Sequence, residues 1–547
     1  MNRLPLLSPD EGRNAEVARE MMESGTWLVP TYNQVPYLDK PAFYFRVVAA
    51  SLGLFGNTEF AARLPSLLFG IAILGLAWGM TRREWGPRPA AWAVLVIATL
   101  PLFISQARIV IFDIALCLFV SSAIFSGYLA ESGPVEWRRR WLLVGAAAAG
   151  LATLVKGPVG LLVPLAVLLT FHALERRWAA MRRLFHPLQA LVFLALVLPW
   201  FLGVTAQHPD FPDYGLVQES FKRFTTTQFH RTAPFYFYAW VVPAMFFPWS
   251  LLLPGASWIA LRRWKSLSTF TRLLITWCVV VVVFFSLSKS KLPGYVLSVT
   301  VPFGILMAQL IEQAIGRPLG RAARLLRVTN GFLAGMAVVL LLALIVVAPQ
   351  THLLAHPLQL PKVDLGELSP FLVPLLVMLV LVAAINGAAL FFRRLSWSSL
   401  GLASVPTLLV IFGAGVFLSV FESHSSRPIA ARLQVLSPDT ELVFYRCYPN
   451  GLPFYLQRTG TLITAEGDEL TSNYVLYTLK REPHWPSPIV PLAEAGHFME
   501  QGQSKLYVIA KDHDRAWLQE QAQHWHGTVE ELPHHFLGLL VERKRGT

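Results

Sequence analysis

Twelve apolar segments constrain this chain more than any other feature of its sequence. They fall at about residues 63–81, 89–104, 109–130, 141–154, 157–174, 188–206, 235–258, 272–287, 292–312, 328–349, 370–392 and 400–420. A helix needs about 20 mostly apolar residues to cross a bilayer, where a backbone must satisfy its own polar groups. The pattern therefore predicts an α-helical polytopic membrane protein. With 54% hydrophobic and only 14% charged residues over 547 positions, an ordinary soluble enzyme is excluded.

Arginine sorts the loops. Clusters recur at Arg82, Arg83 and Arg88; Arg138, Arg139 and Arg140; Arg176, Arg177, Arg182 and Arg183; Arg262, Arg263 and Lys265; Arg317, Arg321, Arg324 and Arg327; and Arg393 and Arg394. Cytoplasmic loops retain such residues, so every second loop is cytoplasmic and the net charge of +13 needs no nucleic acid to explain it. The other loops, with residues 1–62, face the opposite side, which in a bacterium is the periplasm. No span in this sequence precedes residue 63 to carry them there, so the expectation is a natural chain with one further transmembrane helix upstream. Cys117, Cys278 and Cys447 have neither metal-ligand nor disulfide spacing and read as small buried hydrophobes.

Three regions follow: a periplasmic loop over 1–62, a transmembrane domain over 63–422 and a periplasmic α/β domain over 423–547. In the first, residues 14–24 place Ala15, Ala18 and Met22 on one helical face and stop at Gly25, which suits a helix lying at the membrane surface. In the last, 442–445, 474–477, 506–509 and 536–541 read as strands and 512–526 as a helix.

Charged residues on the outer side form a constellation. Asp10, Glu11 and Arg13 sit in Ser8-Pro9-Asp10-Glu11-Gly12-Arg13, and Asp39 and Lys40 in Leu38-Asp39-Lys40-Pro41. Asp113 opens the third span, Lys156 occupies an outer turn, and Lys289, Lys291 and Tyr295 share Ser288-Lys289-Ser290-Lys291-Leu292-Pro293-Gly294-Tyr295. Glu219, Lys222, Arg223, His230 and Arg231 lie in the long loop 207–234. Outer loops are normally depleted of lysine, and an anionic ligand supplies a reason for Lys156, Lys289 and Lys291. Cations in a poorly solvated site stabilise phosphate, while carboxylates serve as general bases or orient the attacking group. Cleavage of a lipid-linked sugar phosphate needs that combination. Blander readings exist for each residue: Asp10 as a helix N-cap, Asp113 as a solvated helix end, the lysines snorkelling to lipid headgroups, and His230 as structural. His524, His526, His534 and His535 read as solvated surface.

At these residues the sequence resembles membrane glycosyltransferases of the aminoarabinose transferase type, relatives of the protein O-mannosyltransferases. The segments carrying the resemblance are the three quoted motifs, Phe112-Asp113-Ile114, Val155-Lys156-Gly157, Arg223-Phe224 and His230-Arg231-Thr232-Ala233-Pro234-Phe235, in family order up to about residue 312. The resemblance implies the GT-C fold with about thirteen spans and a C-terminal periplasmic α/β domain. It implies catalytic roles for Asp10 and Asp113. It assigns donor-phosphate or substrate contacts to Glu11, Arg13, Asp39, Lys40, Lys156, Glu219, Lys289, Lys291 and Tyr295. It implies a polyprenyl-phosphate-sugar donor, lipid A or another envelope acceptor, and a multi-pass location in the bacterial inner membrane with the site facing the periplasm; the residues themselves suggest no cofactor and mark no metal site, and leave a divalent metal open. The chain departs from the family at Glu219-Ser220, where Glu-His is usual, and at Asp39, where Glu is usual. A protein O-mannosyltransferase-like enzyme is the alternative within the class, and a lipid or sugar-phosphate transporter the alternative outside it.

Overall fold

The computed structural model describes residues 4–226, 232–347, 365–392, 395–481, 484–501 and 505–542. His230, Arg231, Arg393 and Arg394, named above from the sequence, lie outside them. Among the described residues each of the twelve apolar segments falls mainly on helix, and residues 348–349 of the tenth lie outside them. Among the described residues eight helices are long and apolar enough to cross a membrane, and nine if a bent pair counts as one span. That pair, Phe237–Met245 and Trp249–Arg262, turns by 115° within segment 235–258. Segment 89–104 is likewise two helices, Pro87–Ala98 and Pro101–Gln106, because Pro101 cannot donate to the preceding turn. Ion pairs join three of the arginine-rich loops at one end of the bundle: Arg183 to Glu131 at 2.6 Å and Arg272 to Glu175 at 2.6 Å.

The N-terminal segment begins with α1 (Asp10–Ser24), which ends at Gly25 in the left-handed conformation that glycine adopts without strain. A short hairpin of β1 (Thr31–Tyr32) and β2 (Val35–Pro36) follows, then α2 (Phe43–Phe55) and the first long span, α3 (Glu59–Trp85). Asn33 and Gln34, at φ 52° and 62°, make the two-residue turn of the hairpin, and Glu20 accepts from both of their N–H groups at 2.6 and 2.9 Å.

α1 differs from the expected surface helix. Eleven of its residues, Glu11 through Met21, are buried, because the sheet domain covers its outward face. Burial is tolerated because its charges are paired: Arg19 holds Glu16 through two bonds at 2.6 and 2.7 Å and also reaches Glu23. A Cβ on Gly12 would come within 2.8 Å of the Asn450 carbonyl oxygen and of Gly451 Cα, so glycine is what lets α1 approach that backbone.

The C-terminal sheet holds six strands: β3 (Glu441–Tyr445), β4 (Thr461–Thr464), β5 (Ile489–Pro491), β6 (Lys505–Lys511), β7 (Val529–Leu532) and β8 (Phe536–Glu542), in the order β5-β4-β3-β6-β8-β7. The first four are parallel; β8 and β7 add antiparallel at one edge. The expected strand at 474–477 is instead part of a helix, Asn473–Leu479. Tyr-Val-Leu-Tyr alternates as a strand would, but the Ser472 hydroxyl accepts from Val475 N–H at 3.3 Å and Asp39 takes the two N–H groups before it, which starts a helix. One apolar core runs from Ala15, Tyr37 and Phe45 through Leu442, Phe444 and Tyr474, so the N-terminal segment and the sheet domain are packed together.

Candidate active site

A cavity of about 560 Å³ opens where the N-terminal segment, the outer helix ends and the sheet domain meet. Eight of the eleven sequence-predicted site residues line it: Asp10, Arg13, Asp39, Lys40, Asp113, Lys156, Glu219 and Tyr295. The same wall includes the apolar side chains of Leu154, Val159, Leu162, Phe284 and Phe285.

Helix ends position the first charge pair. Asp113 is the first residue of α4 (Asp113–Ser132) and Lys156 the last of α5 (Val135–Lys156), where the helix dipoles favour an anion and a cation respectively. The two side chains form an ion pair, and Lys156 Nζ also lies 4.4 Å from the Tyr295 ring centroid. A second cluster centres on Glu219, carried with Arg223 by the π-helix Asp213–Lys222 and the turn after it. Lys40 and Arg223 both pair with the Glu219 carboxylate, and Asn473 donates to it at 3.3 Å. Burial alone would push Glu219 up, but Lys40 and Arg223 together hold it below the usual carboxylate range. Burial lowers Lys40, with Glu219 opposing.

The third cluster holds Asp10. Arg13 Nη2 donates to Asp10 Oδ1 at 2.5 Å, while Nη1 donates to the carbonyl and hydroxyl of Thr471 at 2.9 and 2.7 Å. Burial works against the Arg13 charge, but Tyr37, Asp10 and Asp39 more than offset it and raise its pKa. Asp10 does not cap α1, whose N-cap position is Pro9 with no side-chain bond. Its side chain is 44% exposed, against 6% for Asp113 and 9% for Glu219, which leaves Asp10 the carboxylate best placed to meet an incoming group.

Three expected residues stand elsewhere. Glu11 is committed to Arg63, at 2.6 and 2.8 Å, and to the N–H groups of Leu7 and Val110. Thr232 bridges antiparallel to Ser290, and residues two apart on an extended segment share a face. Ser288 and Ser290 line the cavity, so Lys289 and Lys291 turn away. Lys289 is exposed, and the Lys291 ammonium donates to the carbonyls of Ala233 and Ser288. Thr471 and Asn473 were missed by sequence reasoning, since nothing local marks them as neighbours of Arg13 and Glu219.

Asp39 lines the cavity yet works as a fastener. Its carboxylate accepts from Asn473 N–H at 3.0 Å, Tyr474 N–H at 2.7 Å and the Tyr214 hydroxyl at 2.6 Å. Asp39→Ala is expected to cost about 1–3 kcal/mol for each buried donor left unpaired. Thermal unfolding in detergent, with Asp39→Asn as the milder control, measures it; an unchanged midpoint would remove the fastening role.

Comparison with known proteins places this geometry. Residues 39–202 match the family described as dolichyl-phosphate-mannose-protein mannosyltransferase. The undecaprenyl phosphate-alpha-4-amino-4-deoxy-L-arabinose arabinosyl transferases of Edwardsiella ictaluri and Serratia proteamaculans are 32% and 30% identical over 376 and 378 residues. Those alignments cover 66% and 67% of this chain, and span 66% of each relative's length. The crystal structure of ArnT from Cupriavidus metallidurans bound to undecaprenyl phosphate superposes with a TM-score of 0.82 at 27% identity, covering 98% of this chain and 94% of that one. The chain belongs to the aminoarabinose transferase family. Its helical GT-C bundle and C-terminal sheet domain are those the motifs implied. The family's usual Glu before the lysine is Asp39 here, and the shorter side chain still reaches both N–H groups of the sheet-domain helix.

Proposed function

We propose that this chain transfers 4-amino-4-deoxy-L-arabinose, or a closely similar sugar, from a polyprenyl-phosphate carrier to lipid A or another envelope acceptor at the periplasmic face of a bacterial inner membrane. The observation that carries the reading is a cavity whose wall combines the cations Lys40, Lys156 and Arg223 with the apolar side chains of Leu154, Val159, Leu162, Phe284 and Phe285. A polyprenyl phosphate combines the same two characters, an anionic head and an apolar chain. The solved relative with undecaprenyl phosphate bound supports that ligand class.

Within the cavity Lys40 and Arg223 pair with Glu219, and Lys156 pairs with Asp113. A donor phosphate would compete for these cations, and they would offset the charge that builds on it as the sugar–phosphate bond breaks. Asp10, steadied by Arg13, would orient or deprotonate the acceptor for a single displacement with inversion at the anomeric carbon. A phosphate acceptor needs no deprotonation, and Asp10 would then orient the sugar amine. The match of residues 39–202 to mannosyltransferases favours a second reading in which the acceptor is a protein. Transport is disfavoured because the charges stand at helix ends rather than at a broken helix in mid-membrane.

Mass spectrometry of lipid A from the source bacterium with and without the gene tests the proposal. Loss of a pentosamine-sized addition is the expected result. Unchanged lipid A would overturn that acceptor and direct attention to envelope glycoproteins.

A further inference from the structure

A second cavity of about 660 Å³ lies on the sheet-domain side of the first. It sits where parallel α/β sheets bind ligands. β4 and β6 flank β3 on opposite sides, so the chain leaves β3 in one direction and returns in the other, and the crevice between the carboxyl ends of β3 and β6 is a topological switch point. Arg446, one residue after β3, and Lys511, the last residue of β6, both line the cavity. Glu466, Asp468 and Glu469, from the loop after β4, face them.

The backbone around this cavity is strained. Arg446, Thr471 and His534, all lining it, have φ values of 50°, 52° and 63°. Such conformations are rare for any residue with a side chain, are outliers for a β-branched one, and concentrate at functional sites.

The cavity also adjoins the catalytic one. Thr471 lines both, and on the catalytic side it holds Arg13, the partner of Asp10. Ser8 lines the second cavity and Asp10, two residues on, lines the first.

We propose that the second cavity seats a saccharide, the hydrophilic part of the acceptor that extends beyond the group receiving the sugar; this rests on the transferase reading above. Carboxylates interleaved with cationic donors and serine hydroxyls suit a hydroxyl-rich ligand, which presents donors and acceptors on every side, better than a simple anion or cation. The apolar side chains in the wall of the catalytic cavity suit the donor chain, and the second cavity, on the sheet-domain side, is left for the acceptor.

The test uses the full chain in lipid nanodiscs and two probes: a fully deacylated phosphorylated glucosamine disaccharide, and undecaprenyl phosphate. Ala465 lines the second cavity and is exposed, so Ala465→Trp fills space there. The expected result is disaccharide binding weakened at least tenfold by Ala465→Trp and about threefold by Lys511→Ala, with undecaprenyl phosphate affinity unchanged in both. In transfer assays the acceptor KM should rise while kcat holds. Disaccharide that fails to bind the unmutated chain, or binds both variants as tightly, would overturn the proposal. Failure of the unmutated chain to bind undecaprenyl phosphate would overturn the transferase reading instead. A variant that loses both ligands has misfolded, and Lys511→Ala then decides.

Discussion

Asp10→Asn is expected to lower transfer about 10²–10⁴-fold, the range over which a positioned general base contributes. Asparagine keeps the size of the side chain and an oxygen able to accept from Arg13 Nη2, so the contact that orients it survives while the charge is lost. The folded state should be preserved within about 1 kcal/mol, since the pair is part-exposed and such pairs contribute little to stability. Donor affinity should also hold, because the cations proposed to meet the phosphate are Lys40, Lys156 and Arg223. Steady-state transfer with purified protein, alongside undecaprenyl phosphate binding and a thermal midpoint, separates these effects. Transfer at the unmutated rate by a well-folded variant would refute the role of Asp10. Loss of donor binding would move that role to the donor.

The second large effect is structural. Arg63 and Glu11 form an ion pair at 2.6 Å with side chains 2% and 3% exposed, and Arg63 also donates to the carbonyls of Leu4 and Pro5 at 2.5 and 2.8 Å. Arg63→Met strands a carboxylate in the interior and should cost about 3–5 kcal/mol, a large share of the roughly 5–15 kcal/mol that holds a typical domain together. Glu11→Leu alone should cost a similar amount. The double variant should lose less than the sum, since no isolated charge remains. Thermal unfolding of the four proteins in one detergent gives the cycle directly. Strict additivity would show that the two charges do not depend on each other.

Neither effect could be ranked from the sequence. Glu11 stands beside Asp10 in one motif, and only the fold reveals that Asp10 faces the cavity while Glu11 points to the first span. Hydropathy located the helices, because burial in lipid demands long apolar runs, and the C-terminal sheet domain was legible from its falling hydropathy and its strands at β3, β6 and β8. The bend within 235–258 was not legible, since a 115° turn leaves apolar composition unchanged. The 474–477 segment was misread because its helix is started by Asp39, 435 positions from Tyr474 in the chain. Lys291 was misread for a related reason. Its partners are backbone carbonyls, and carbonyls leave no mark on residue identity. The charged motifs gathered eight residues at one cavity, yet Thr471 and Asn473 are themselves uncharged, and the acids just before them, Asp468 and Glu469, do not point to Arg13 or Glu219.

The Arg13–Thr471 contact joins residues 458 positions apart. At translation rates of about 5–20 residues per second, roughly 20–90 s pass between synthesis of the two. For that interval the nascent protein carries Asp10, Lys40 and Asp113 but has no wall to fix Arg13. The site closes only after nearly the whole chain has left the ribosome. A chain cut short before Thr471 would keep the motifs around Asp10, Lys40 and Asp113 and lose the two bonds that fix Arg13.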